Sequence, residues 1–199
     1  MAMPERFDPL YDFDGVWTTG LADRYLPPRD LPDARFECID GRLVMTPAEA
    51  GANSFGEIKL ARLLGPAAEA ADLYVYGQIN LTFNPRSWIQ PDVTVLHTVP
   101  KTDDEDRWVP VRYCTMAIEF VSPASRQQDF LDKPRRCAEA GVPYFMRVEI
   151  VRRLRHVSVE LFSLDDWSAY ATVAKAQGGR RLRADVPFPI DFDPAELLP

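Results

Sequence analysis

Met116-Ala117-Ile118-Glu119-Phe120-Val121, a helical stretch over 132–140, and Tyr144-Phe145-Met146-Arg147-Val148-Glu149-Ile150 follow one another along the chain. The outer two are apolar runs of strand length, and Ser122-Pro123-Ala124-Ser125 ends the first. The helical stretch is closed by Gly141 just past its end, with Pro143 beyond. Strand, helix, strand in that order reads as a mixed α/β core. Just upstream, Gln90-Pro91-Asp92 leads into a buried strand from Val93 to Leu96, with the proline where a strand tolerates one.

Working outward, Arg35-Phe36-Glu37-Cys38-Ile39 and Arg42-Leu43-Val44-Met45 flank Asp40-Gly41, the signal of a type I′ hairpin whose two central residues must accept positive φ. A helix capped by Asn53 or Ser54 reaches about Ala71, with Ile58, Ala61, Leu64 and Ala68 as its apolar stripe and Gly65-Pro66 as a kink or break. Leu73 to Phe83 reads as one strand, and the proline-rich residues 98–112 as a loop. Val157 to Phe162 and Trp167 to Val173 resemble a late antiparallel pair. Before all this, residues 1–17 look like an irregular arm, followed by a short helix from Thr19 to Leu26 ended by Pro27-Pro28. The expected architecture is a central mixed β-sheet flanked by helices with β-hairpins at both ends. An arm and short helix (1–30) precede a single domain (31–199).

Composition bounds the chemistry. At 199 residues, 46% apolar and 27% charged, the chain suits one soluble domain with one core. No apolar run approaches the ~20 residues of a membrane span. Met1 to Asp8 lacks the basic and apolar regions of a secretory signal, so a cytoplasmic protein is expected. Cys38, Cys114 and Cys137 match no zinc or redox spacing, and an odd count argues against a disulfide framework. His97 and His156 belong to no zinc motif.

Asp92 and Glu119 each stand in an apolar strand run, and Lys133 follows fourteen residues after the glutamate. A lone ionised carboxylate buried on both sides costs several kcal/mol, so each acid needs a partner, such as a metal ion the two share. Other readings stay open. Asp92, after a proline, could cap a turn; Glu119 could form a buried salt bridge; Lys133 could pair at the surface with Asp129, four residues before it. Pro134 suits a first helical turn, which places the helix start near Asp132 and Lys133 at its N-terminal end. A lysine there opposes the helix dipole unless it points at phosphate.

The net charge of −7 is unusual for a nucleic-acid enzyme, since phosphate binding rests on Lys and Arg. The acidic run Asp103-Asp104-Glu105-Asp106 carries part of it, whereas the positive charge is grouped: Lys133, Arg135 and Arg136; Arg147, Arg152, Arg153 and Arg155; Arg180, Arg181 and Arg183. Arg135, Arg136, Arg152 and Arg155 are the nucleic-acid-binding candidates, if they converge on the acid pair. A solvated face is the other reading.

From about Phe36 to Leu198 the chain resembles bacterial restriction-endonuclease-like proteins of the PD-(D/E)XK superfamily, a family formerly classed as a domain of unknown function. The stretches that carry the resemblance are Phe36 to Val44, Gln90-Pro91-Asp92-Val93, Ile118 to Pro123, Asp129 with Lys133, and Ala138 to Tyr144. It implies a restriction-endonuclease-like core with the active site where two core strands diverge. It also implies hydrolysis of DNA with Mg²⁺ or Mn²⁺ held by Asp92, Glu119 and the Phe120 backbone carbonyl. The lysine usually found two residues after the glutamate is replaced here by Val121, and Lys133 on the following helix takes its place. Glu37 matches a family glutamate, although an outward-facing strand acid is the simpler reading. Glu57 lies where related nucleases sometimes supply an extra acid, although surface solvation is the better reading. Pro134 departs from the family pattern, and so do Asn53 and Ser54, which stand where a histidine is frequent.

These expectations define a metal-dependent endonuclease, which a homodimer would suit for cutting both strands. The rivals are a catalytically inactive nucleic-acid-binding or regulatory protein that keeps the fold, and an interaction module with no nucleic-acid role.

Overall fold

The computed structural model describes residues 7–27, 34–47, 51–102, 105–122 and 125–199. The start of the expected arm, Pro28, the loop after Pro47, Asp103-Asp104 and Pro123-Ala124 lie outside them.

Short helices α1 (Pro9–Asp12) and α2 (Thr19–Tyr25) precede strands β1 (Ala34–Ile39) and β2 (Arg42–Pro47) and the long helix α3 (Gly51–Glu69). Strands β3 (Tyr74–Tyr76), β4 (Asn80–Asn84), β5 (Ser87–Ile89), β6 (Val93–Leu96), β7 (Trp108–Pro110) and β8 (Cys114–Val121) come next. A π-helical turn (Gln128–Asp132) runs into α4 (Lys133–Glu139), followed by β9 (Tyr144–Val151), β10 (His156–Leu164) and β11 (Tyr170–Gln177). The chain closes with β12 (Leu182–Ala184), β13 (Ile190–Phe192) and a 3₁₀ turn (Pro194–Leu197).

Two mixed sheets carry the fold. The six-stranded sheet has the order β11-β10-β9-β8-β6-β3, and the five-stranded sheet β2-β1-β5-β4-β7. β8 and β9 are parallel, as a strand-helix-strand unit demands, while β6 runs antiparallel to β8 with Val93 opposite Ile118.

Every residue of β8 is buried, because both its faces are covered. Met116, Ile118 and Phe120 pack with Leu60, Leu64 and Ala68 of α3 and with Phe192 and Leu197. Ala117 faces the other way, onto Cys137, Val142, Phe145, Leu81 and Ile89. Each large apolar side chain so enclosed contributes roughly 1.5–3 kcal/mol. By the two-residue period of a strand, Glu119 shares the face of Ala117 and points toward α4.

The Asp40-Gly41 hairpin forms as expected: Ile39 pairs with Arg42, and both turn residues have positive φ, 53° and 87°. Other expectations change. The strand expected over 73–83 is interrupted at Gly77-Gln78, so β3 and β4 belong to different sheets. Residues 98–112 are not all loop, since β7 pairs in parallel with β4. Pro66 sits inside an unbroken α3, where Gly65 presents no Cβ for the proline ring to meet. α3 starts at Gly51, so Asn53 lies within its first turn, buried, rather than capping it. The arm is more ordered than its sequence suggested: Trp17 is buried with Ala22, Cys38 and Trp88, and its N–H donates to the Gly41 carbonyl at 2.9 Å. No described helix is long and apolar enough to cross a membrane.

Candidate active site

Asp92 lies immediately before β6, beside the end of β8. Its Oδ2 accepts the Phe120 backbone N–H at 2.6 Å, so the carboxylate ties one strand to its neighbour rather than capping its own turn. Its Oδ1 is ion-paired to Arg35 of β1. Glu119, 1% exposed, points Oε2 at Lys133 Nζ, 3.1 Å away, while its Oε1 is buried with no hydrogen-bond partner.

Lys133 Nζ also lies 3.1 Å from Glu37 Oε1 and 3.4 Å from Asp129 Oδ1. The pairing with Asp129 therefore exists, but it is buried and belongs to the same cluster. The helix around Lys133 differs from its sequence reading. Helical structure begins at Arg126 and continues through the π turn, where the Lys133 N–H bonds to the Gln128 carbonyl, so Lys133 lies well inside the helical run. A proline lacks an N–H and its ring crowds the carbonyl four residues back; the wider π turn ahead of Pro134 carries the helix past both problems. Opposition to the helix dipole consequently falls away.

Glu37 is 3% exposed, not outward-facing: its Oε1 takes Lys133 and also the Gln90 N–H at 2.7 Å. Arg35, two residues before it and on the same face of β1, is a site residue the sequence reading missed. Besides Asp92, Arg35 has Glu57 Oε1 at 3.9 Å from its Nη2. With its amide oxygen turned inward, Gln78 accepts from Arg35, the oxygen lying 2.6 Å from Nε and 2.8 Å from the terminal nitrogens. Glu57 is thus half-buried at the margin of the site rather than fully solvated. Ser125, also missed, donates its hydroxyl to Asp129 Oδ2.

Four carboxylates, Glu37, Asp92, Glu119 and Asp129, face two cations, Arg35 and Lys133. The cluster is short of positive charge, and its protonation behaviour reflects that. Burial pushes the Glu119 carboxyl well above its ordinary range, Lys133 pulls it down, and Asp92, Asp129 and Glu37 push it up again. Burial likewise raises Asp129, against the pull of Lys133 and the Ser125 hydroxyl. Burial alone would lower Lys133, but the surrounding carboxylates, Glu119 foremost, hold it well above the usual lysine value. Lys133 is a permanent cation at neutral pH and cannot serve there as a base.

The donor set suits a hard divalent cation: oxygen ligands, two more carboxyl groups than cations, and an orphaned carboxylate oxygen on Glu119. Among the described residues no three His, Cys, Asp or Glu side chains form a ready-made metal cage. Mg²⁺ is commonly held by only one or two carboxylates, with water completing its shell. The space between Arg35, Glu37, Asp92, Glu119 and Lys133 is about 10 Å³, room for a single water-sized sphere.

The four arginines singled out from the sequence do not line this space. Arg135 pairs with Glu139 at 3.5 Å on the exposed side of α4, and Arg136 reaches Asp40 of the hairpin turn at 3.3 Å. Arg152 and Arg155 border a separate cavity of about 160 Å³ with Leu198 and Pro199.

Residues 23–197 match the family described as "Uma2: Putative restriction endonuclease". A solved structure, described as a "putative nuclease belonging to DUF820 from Anabaena variabilis ATCC 29413", aligns with a TM-score of 0.60 over 84% of this chain and 92% of its own, at 14% identity. Likeness at that identity speaks for the fold. No curated protein matches the chain.

Proposed function

Since the chain belongs to the Uma2 family, described as "Putative restriction endonuclease", and shares its fold with the "putative nuclease" from Anabaena variabilis, we propose that it is a metal-dependent endonuclease hydrolysing phosphodiester bonds in DNA. The observation that carries this reading is the buried cluster of four carboxyl groups against two cations, with Glu119 Oε1 lacking a hydrogen-bond partner. Asp92 and Glu119 hold the divalent ion, Mg²⁺ or Mn²⁺, with the Phe120 carbonyl as a third ligand. That ion, when bound, lowers the pKa of an attacking water and balances charge on the phosphate.

The chain's own groups do the rest. The Phe120 N–H donates to Asp92 Oδ2 at 2.6 Å and so fixes the orientation of that carboxylate. Lys133, permanently charged, orients the attacking water or offsets the negative charge that grows on the phosphate in the transition state. Glu37 and Asp129 hold the lysine in place from either side.

A second reading has its own observation. Arg35 on Asp92 and Lys133 on Glu119 already neutralise both acids, as a catalytically inactive DNA-binding or regulatory relative would require. Incubating plasmid and single-stranded DNA with Mg²⁺ or Mn²⁺ and the wild type, Asp92→Ala or Glu119→Ala separates the two. The endonuclease reading expects cutting by the wild type alone. Equal residual cutting by all three proteins, or none by any, sinks it.

A further inference from the structure

Arg35 occupies the ligand that a metal ion at this site would need. Its Nη1 is ion-paired with Asp92 Oδ1, and the other Asp92 oxygen already accepts the Phe120 N–H at 2.6 Å. Arg35 is also one of the walls of the 10 Å³ space beside Glu119. The space that Arg35 bounds admits about one water-sized sphere, whereas a magnesium-like ion keeps several of its waters. The guanidinium's positive charge opposes a dication in the same place.

Arg35 can leave Asp92 without being stranded. Glu57 Oε1 lies 3.9 Å from its Nη2, and the Gln78 amide oxygen, turned inward, lies within 2.6–2.8 Å of its guanidinium nitrogens. Its side chain is 14% exposed, against 2% for Asp92, so it stands on the solvent side of the carboxylate, where a substrate would arrive. A planar guanidinium matches phosphate with two parallel hydrogen bonds as well as it matches carboxylate.

We propose that Arg35 is an exchange residue, neutralising Asp92 in the resting protein, then yielding Asp92 to a divalent cation and taking the DNA phosphate at the cleavage position as its new partner. The inference rests on the metal-dependent reading above. It makes resting Arg35 a competitor of the metal and a contributor to DNA binding, two effects of opposite sign that a purely structural salt bridge would not produce.

The test is calorimetric titration of Mn²⁺ into the full-length wild type, Arg35→Gln, Arg35→Lys and Asp92→Asn without DNA. Binding of a labelled DNA duplex in Ca²⁺ is measured alongside across a salt series. Arg35→Gln is expected to bind Mn²⁺ about tenfold tighter than the wild type. It should bind duplex about tenfold weaker, with a salt slope smaller by about one. Arg35→Lys, which keeps the charge but loses the two-pronged fork, serves if the glutamine variant does not fold, and it should also bind Mn²⁺ tighter than the wild type, by a smaller factor. Mn²⁺ affinity unchanged or weakened in the Arg35 variants, or duplex affinity unchanged, overturns the exchange while the wild type still binds Mn²⁺ through Asp92. Absence of Mn²⁺ binding by the wild type as well as the variants overturns the metal-dependent reading itself, and the exchange with it.

Discussion

Lys133 Nζ lies 3.1 Å from Glu37 Oε1, joining the start of α4 to strand β1 of the five-stranded sheet. The same lysine holds Glu119 of the six-stranded sheet at 3.1 Å. One ammonium group therefore connects both sheets and the helix between the two parallel strands. Replacing it with an apolar side chain leaves buried carboxylates with too little positive charge. Lys133→Met is expected to destabilise the fold by about 3–5 kcal/mol, the usual result of removing one partner from a buried ion pair. Urea unfolding of the variant against the wild type reads this directly; a loss under 1 kcal/mol would mean that the cluster relaxes without its lysine.

Gly56 brings α3 against the back of the site. A Cβ there would lie 2.8 Å from the Phe120 ring and 3.0 Å from Ile150 Cδ1, with the Leu197 carbonyl at 3.4 Å. Alanine gains roughly 1 kcal/mol of helix propensity over glycine, but overpacking of this kind costs about 1–3 kcal/mol. Gly56→Ala should lower the melting temperature and, by shifting Phe120, loosen the residue whose N–H holds Asp92. A melting temperature above that of the wild type would show that the helix moves away freely.

Glu160 provides a pH test away from the acid cluster. Burial works against its charge, but Arg147 at 2.8 Å, Thr172 at 3.1 Å and Lys175 at 3.4 Å outweigh that and hold the carboxyl below its ordinary value. With the folded pKa depressed, the folded state carries fewer protons than the unfolded one between the two values. The stabilisation is present above the unfolded pKa, near 4.3, and disappears as pH falls through the folded one. At pH 7 the wild type should melt about 2–4 °C above Glu160→Gln, and the gap should close on acidification. A gap independent of pH would mean that packing, not charge, sets it.

How much of this was readable in the chain depends on where the cause lies. Asp40-Gly41 was legible because its constraint is local: two adjacent residues at positive φ. Asp92 and Glu119 were legible because each places a charge inside an apolar strand, which calls for a partner wherever that partner is. The partners themselves were not. Arg35 meets Asp92 across 57 residues, and Glu37 reads as outward-facing because strand alternation cannot tell that β1 is covered on both faces. The signal, in hindsight, was the run Phe36-Glu37-Cys38, with an acid between two residues that both bury. Pro134 misled for a related reason: proline penalises a regular α-helix, and only the π turn ahead of it, invisible in sequence periodicity, lets the helix continue. Gly77 was the available sign that the strand over 73–83 would divide.

If Asp92 and Glu119 together hold a divalent cation, Glu119→Gln must lose it. The substitution keeps the side chain's shape, and Lys133 keeps Glu37 and Asp129 as partners, so a folded variant is expected. Mn²⁺ titrated into the metal-free wild type should bind at one site per chain, and the same titration of a folded Glu119→Gln should lose that binding by about a hundredfold or more, roughly 2.7 kcal/mol. Equal Mn²⁺ affinity in the two proteins would mean that Glu119 is not a ligand of the ion.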